Sequence, residues 1–100
     1  MKIYKNCPKW RKNSEDLIPK PGELPIWSAR EPEVAYPAPP AIGSIVQVSC
    51  NGIGPSVVKA YFVENGYLGI KVLPQSPPAW YVVQNGVNAE CHVFGSEVKL

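Results

Sequence analysis

The chain has 100 residues, of which 45% are hydrophobic and 18% charged, and its formal net charge at pH 7 is +2. This length suits a single domain with one modest core, and the five positive charges of residues 1–12 are few for a dedicated DNA binder. The first residues lack the apolar stretch of a secretory signal and no run is long enough to span a membrane, so we expect a cytoplasmic protein without membrane contact.

Residues 1–42 are rich in proline and carry the whole excess of positive charge. Residues 1–40 hold seven basic and five acidic groups, which gives +2, and eight of the 12 prolines. No helical or strand period lasts there, so we expect an irregular Pro-rich arm and linker. The aromatic side chains of Trp10, Trp27 and Tyr36 are costly to leave in water, so parts of the arm should pack against the domain or a partner.

The last part of the arm, Pro37 to Pro40, is most simply a stiff linker. Alternatively, it is a ligand for a proline-reading domain, or it packs against an aromatic groove of its own domain. The basic start of the arm offers candidate contacts to a partner: Lys9, Trp10, Arg11 and Lys12.

From residue 43 onward the pattern changes to that of β-strands. Short apolar and alternating runs predict strands at 44–50, 56–64, 67–73, 80–84 and 91–94. Asn65-Gly66 lies between the second and third strands and is a strong hairpin signal, because both turn positions need positive φ. Strands this close together, with no helix between them, predict an antiparallel and tightly curled sheet.

The region 43–100 contains GSIVQV, VVKAYFVENGYLGIKV, WYVV and HVFGSEVKL, and in this it resembles the SH3-like and KOW-type small β-barrels. The resemblance implies an all-β fold, a five-stranded antiparallel SH3-like barrel, with the OB-fold as the second choice. It also implies a non-catalytic binding module. The pattern is similar to that of small proteins of bacteriophages and other mobile elements, which implies an accessory protein acting in the cytoplasm of a host cell.

The segment NGIGP at 51–55 has the glycines of a phosphate-binding loop only in part. A dinucleotide fingerprint needs a third glycine and a following helix, whereas Val57 occupies the third position and a strand is predicted next. We therefore interpret NGIGP as a turn between strands.

The residues that carry catalytic and metal chemistry are few and poorly spaced. Cys7, Cys50 and Cys91 are widely separated, so neither a disulfide framework nor a zinc site is expected. Cys91 and His92 are adjacent and should point to opposite faces of a strand, which prevents a nucleophile–base pair. We expect no enzyme activity, no metal and no cofactor.

The predicted barrel offers one candidate binding face, on which lysines and aromatic residues alternate. In the second strand Lys59 and Tyr61 should share a face, opposite Val58 and Ala60. The full candidate set on the barrel is Lys59, Tyr61, Lys71, Trp80 and Tyr81. In the alternative interpretation, Trp80 closes one end of the core and the lysines are simply solvated.

Three functions remain open at this level. The first is binding of a host protein, which the neutral charge of the region 41–100 favours. The second is nucleic-acid binding through the basic arm and the Lys/aromatic face. The third is a homo-oligomeric structural component in which arms are exchanged between subunits.

Overall fold

The computed structural model describes residues 2–12, 24–28, 38–49 and 51–99. Most of the regular structure is β, which confirms the largely β fold. The strands are β1 (Lys2–Tyr4), β2 (Arg11–Lys12), β3 (Ile26–Trp27), β4 (Ile45–Val48), β5 (Gly54–Glu64), β6 (Tyr67–Pro74), β7 (Cys91–Phe94) and β8 (Val98–Lys99). One helix, α1 (Ala79–Asn85), and one 3-10 turn, Gly95–Glu97, complete the described elements.

The long hairpin of β5 and β6 is the centre of the sheet. The two strands pair from Ser56↔Pro74 to Glu64↔Tyr67. Between them Asn65 and Gly66 have φ values of 54° and 82°, the left-handed conformation that a two-residue hairpin turn needs. The Asn-Gly prediction is therefore confirmed.

Each central strand is flanked by one strand from the N-terminal segment and one from the rest of the chain. β5 pairs with β4 along residues 54–57 and with β1 along residues 61–63. β6 pairs with β3 along residues 67–68 and with β7 along residues 69–72. The N-terminal strands thus lie beside the hairpin turn, and β4 and β7 lie further from it.

The sheet differs from the predicted five-stranded antiparallel one in strand number and in direction. It has eight strands, six of which pair in the order β2-β3-β6-β5-β4-β8. The other two, β1 and β7, pair with β5 and β6. Among the described residues no ladder joins β2 to β8, so the sheet is open. The pairs β2–β3 and β3–β6 are parallel. Thirteen residues separate β2 from β3, which is enough chain for the crossover that a parallel pair requires.

The three additional strands come from the segment predicted to be an irregular arm. Trp27 is 1% exposed and joins the main core, and the Ile26 amide donates a hydrogen bond to the Gly66 carbonyl at 2.9 Å. Strands of two or three residues carry no detectable period, so the sequence pattern could not indicate them. The expectation that Trp10 and Trp27 pack against the domain agrees with the structure, whereas Tyr36 and Pro37 lie outside the described residues.

The main core lies on one face of the sheet. Its buried residues are Trp27, Val46, Val48, Ile53, Val58, Tyr61, Leu68, Ile70, Val72, Tyr81 and Val93. On the opposite face Phe62 is fully buried, with its ring over Gly69 and in edge contact with the rings of His92 and Phe94. The strand β5 is consequently buried on both faces near the hairpin turn.

The predicted strand at 80–84 is wrong, because these residues belong to α1. The amides of Tyr81 and Val82 both donate to the carbonyl of Pro78, which starts the helix, and the Gly86 amide donates to Val82 at 2.8 Å, which ends it. A four-residue apolar run does not distinguish strand from helix by period alone. No helix of the described residues is long and apolar enough to cross a membrane.

Candidate functional site

The most exposed apolar surface of the described residues is on α1 and the turn that follows it. Trp80 is 42% exposed, Val83 is 85% exposed and Val87 is 78% exposed. Trp80 and Val83 are three residues apart, so they lie on one side of the helix. We call Trp80, Val83 and Val87 the α1 surface.

The α1 surface is exposed because one residue on the opposite side of the helix, Tyr81, holds α1 against the main core. Tyr81 is 4% exposed, packs in the main core and donates its hydroxyl hydrogen to the carbonyl oxygen of Ala89 at 2.7 Å. The ring of Trp80 contacts that of Tyr81 edge to face, with ring centres 5.8 Å apart. Anchoring through Tyr81 therefore directs Trp80 and Val83 away from the core.

A shallow depression of about 320 Å³ adjoins the α1 surface and is lined by Asn51, Trp80 and Gln84. Gln84 lies four residues after Trp80, on the same side of the helix. Asn51 comes from the NGIGP turn, where its φ of 54° and the φ of 69° at Gly52 reverse the chain between β4 and β5. The interpretation of NGIGP as a turn agrees with this geometry, and the turn contributes an amide side chain to the depression.

Charge is absent from this part of the chain. Residues 72–89 contain no Asp, Glu, Lys, Arg or His. The charged residues that border the segment are Lys71 and Glu90, and their side chains approach each other at 3.7 Å. The α1 surface and the depression beside it are therefore suited to contact with an uncharged molecular surface.

The predicted pair of Lys59 and Tyr61 does not share an outward face. The β5–β6 register shifts between Val58 and Ala60, so Lys59 has no partner residue in the ladder and the alternation changes phase there. Lys59 is exposed, whereas Tyr61 is 3% exposed and part of the main core. A bulge of this kind leaves no signal in an alternating sequence, so the pattern predicted the wrong face.

The Tyr61 hydroxyl binds the end of the proline-rich segment. It donates a hydrogen bond to the carbonyl oxygen of Pro40 at 2.7 Å, and both Pro39 and Pro40 are half-buried. Burial raises the pKa of Tyr61, a negative charge on Cys7 would raise it further, and a hydrogen bond from the Ile42 backbone opposes this. This contact at Pro40 agrees with the interpretation in which the segment packs against its own domain.

Lys71 and Tyr61 lie on opposite faces of the sheet. Lys71 pairs with Ala60 across the ladder and Tyr61 pairs with Ile70, and neighbours along a strand point to opposite sides. Lys71 is also engaged by Glu90. The structure therefore does not assemble the predicted Lys/aromatic face.

The core interpretation predicted that Trp80 closes one end of the core, which is wrong. Tyr81 closes the core, and Trp80 is the exposed aromatic residue. Of the predicted barrel candidates, only Trp80 belongs to the α1 surface. Val83, Val87, Asn51 and Gln84 were missed, because their grouping depends on the helix that the sequence pattern predicted as a strand.

The candidate residues of the N-terminal segment are mainly structural. Trp10 is half-buried against the main core, and the Arg11 Nε donates a hydrogen bond to the Leu24 carbonyl at 2.9 Å. Lys9 is exposed. Lys12 lies in β2, but its side chain is outside the described residues.

Comparisons of the chain with protein-family models, with curated proteins and with solved structures found no match.

Proposed function

We propose that this chain is a non-catalytic binding module that recognises another protein through the α1 surface. The observation that carries the proposal is the exposure of Val83 and Val87, at 85% and 78%, beside the half-exposed Trp80. Single exposed apolar residues are ordinary, but several of them on a short helix and the turn that follows it are typical of an interaction site. Tryptophan is among the residue types that most often dominate binding energy.

The absence of charge favours a protein partner over a nucleic acid. Nucleic-acid binding draws most of its affinity from Lys and Arg contacts to phosphates. Residues 72–89 offer none, and Lys71 beside them is paired with Glu90. The expected partner therefore presents an uncharged, largely apolar surface.

Capture from a lysate with two matched variants tests the proposal. Val83→Ser with Val87→Ser removes two branched apolar side chains from the α1 surface. Ile42→Ser with Ile45→Ser removes the same kind of side chain from residues that are 44% and 54% exposed elsewhere. Exposed substitutions of this kind change the free energy of unfolding by only about 0.5 kcal/mol, so both variants should fold.

We expect wild type and the Ile42/Ile45 variant to recover the same protein, and the Val83/Val87 variant to lose it. Equal recovery by all three would refute the α1 surface as the site. Recovery of nucleic acid that falls steeply with salt would instead support nucleic-acid binding. Light scattering that shows a wild-type oligomer, and a monomer for the Val83/Val87 variant, would support self-association through the same surface.

We also propose that residues 43–100 form the SH3-like unit that the sequence resembles. The strands of this part lie in the order β8-β4-β5-β6-β7. Along the chain, the 3-10 turn Gly95–Glu97 separates β7 from β8. This order and the long central hairpin support the proposal. An experimental structure in which these five strands do not curl towards closure would contradict it.

A further inference from the structure

The chain contains three Asn-Gly pairs, at 51–52, 65–66 and 85–86. In such a pair the glycine nitrogen attacks the asparagine Cγ, because glycine has no side chain to hinder the approach. The new N–Cγ bond forms as the bond from Cγ to the side-chain nitrogen breaks, and ammonia leaves with the proton from the glycine nitrogen. Water then opens the succinimide ring to give aspartate or isoaspartate.

We propose that Asn51 is the preferred site of this spontaneous deamidation in the folded protein, and that it introduces a negative charge beside the α1 surface. The reaction needs only water, so the three pairs compete on equal chemical terms. Their rates in the folded chain then depend on how far the surrounding structure resists ring closure.

The pair Asn85-Gly86 is held at both reacting groups. The Gly86 nitrogen, which must act as the nucleophile, donates its hydrogen to the Val82 carbonyl at 2.8 Å. The Asn85 side-chain nitrogen, which must leave, donates to the Tyr81 carbonyl at 3.2 Å. Ring closure here requires both bonds to break at the end of α1, so this pair is the best protected.

The pair Asn65-Gly66 is restrained by the strands on either side of it. It forms the two-residue turn between the paired residues Glu64 and Tyr67, and the Gly66 carbonyl accepts the hydrogen bond from the Ile26 amide at 2.9 Å. Rotation of the Asn65 backbone towards the ring geometry would disturb the hairpin end and the contact with β3. This pair should react more slowly than an unrestrained one.

The pair Asn51-Gly52 lies in a longer and more exposed connection. Five residues, 49–53, separate β4 from β5, in contrast to the two residues of the β5–β6 turn. Asn51 and Gly52 are both exposed, whereas Gly66 of the hairpin turn is half-buried. Ring closure therefore meets the least resistance here.

Deamidation at Asn51 changes the electrostatics of the depression that it lines with Trp80 and Gln84. The pKa of an aspartate side chain is about 3.9 in water, so the product is ionised at neutral pH. The adjoining segment 72–89 contains no cation to pair with it. A partner surface that fits the uncharged site would have to desolvate this carboxylate, and its affinity should fall as the protein ages.

Peptide mapping by mass spectrometry tests the site preference. The intact protein is incubated at neutral pH with a thiol reductant, once folded and once in concentrated guanidinium chloride, and deamidation is followed at each pair. The ratio of unfolded to folded rates gives the protection of each site. We expect a ratio near one at Asn51, a larger one at Asn65 and the largest at Asn85. Protection of Asn51 equal to or greater than that of Asn85 would overturn the inference.

The consequence for binding rests on the proposed function and is tested separately. Asn51→Asp should lower recovery of the captured protein several-fold, whereas Asn65→Asp, which has the same φ of 54° in the hairpin turn, should not. Unchanged recovery by Asn51→Asp, together with loss by the Val83/Val87 variant, would overturn the charge effect and leave the proposed function standing. Unchanged recovery by the Val83/Val87 variant would overturn the proposed function, while the deamidation rates would remain a valid test of site preference.

Discussion

Tyr61 combines a buried ring with a hydroxyl that holds the end of the proline-rich segment. Removing the hydroxyl in Tyr61→Phe leaves the Pro40 carbonyl without this donor, so we expect a loss of about 1 kcal/mol in the free energy of unfolding. Denaturant unfolding of both proteins at neutral pH measures the difference. A Tyr81→Phe variant, which loses the bond to Ala89, should show a loss of similar size.

The pH dependence of stability adds a second signature of Tyr61. Burial raises the pKa of Tyr61 and of Tyr81 above the ordinary value of 10.0, so the folded state favours the neutral phenol. This contribution is complete below pH 10.0 and is lost as the pH rises through the folded pKa. Above pH 10.0 the free energy of unfolding of wild type should therefore fall more steeply with pH than that of Tyr61→Phe. Parallel plots of the free energy of unfolding against pH for the two proteins would contradict this.

Gly69 leaves free the space that the Phe62 ring fills from the opposing strand. A Cβ atom there would overlap Cζ and Cε1 of the Phe62 ring, which lies over it on the opposing strand. We expect Gly69→Ala to destabilise the fold by about 1–3 kcal/mol or more, because the ring cannot move without disturbing its contacts to His92 and Phe94.

A double-mutant cycle assigns this cost to the Phe62 ring. In a Phe62→Ala background the space above residue 69 is empty, so Gly69→Ala should cost much less than it does in wild type. An equal cost in both backgrounds, measured by denaturant unfolding, would place the strain elsewhere.

At the scale of elements, α1 depends on one anchor. Tyr81 is its only buried residue, no side chain caps its N-terminus, and it contains two β-branched valines, which have modest helix propensity. We expect Tyr81→Ala to cost about 3–5 kcal/mol, the range for loss of a buried aromatic side chain. Trp80→Ala should cost far less, because Trp80 is 42% exposed.

Calorimetry of the two alanine variants checks this order. The reverse order, with Trp80→Ala the more destabilising, would mean that Trp80 closes the core and would remove it from the α1 surface. Equal small costs would mean that α1 is not anchored by Tyr81.

The elements differ in how far the sequence could predict them. The strands β5, β6 and β7 and the Asn-Gly turn were predicted within two residues, because alternation and turn chemistry are local signals. The run WYVV was predicted as a strand because its residues favour β structure. In the structure it lies in α1, which follows Pro77 and Pro78 and packs against the core through Tyr81. The bulge at Lys59 reversed the predicted face of Tyr61 for a similar reason, since it depends on the pairing with β6.

At the scale of the whole molecule, the N-terminal segment was the least predictable part and is central to the fold. Its strands are two or three residues long, too short for a period, and the partners of β1 and β3 lie far along the chain. Only its aromatic residues Trp10, Trp27 and Tyr36 indicated burial. Because the α1 surface depended on a helix that was not predicted, the sequence identified just one of its residues, Trp80.

The structure predicts that the chain cannot be divided near residue 42 without loss of stability. Removing residues 1–28 deletes β1, β2 and β3 and takes Trp27 out of the main core. A domain of this size has only about 5–15 kcal/mol of stability, and losing Trp27 alone should cost about 3–5 kcal/mol. We expect the shortened chain to lose cooperative thermal unfolding and full-length Trp27→Ala to keep it at a lower midpoint. Full-length Lys9→Ala, which changes an exposed residue of the same segment, should match wild type. A shortened chain with the wild-type midpoint would show instead that residues 29–100 fold without β1, β2 and β3.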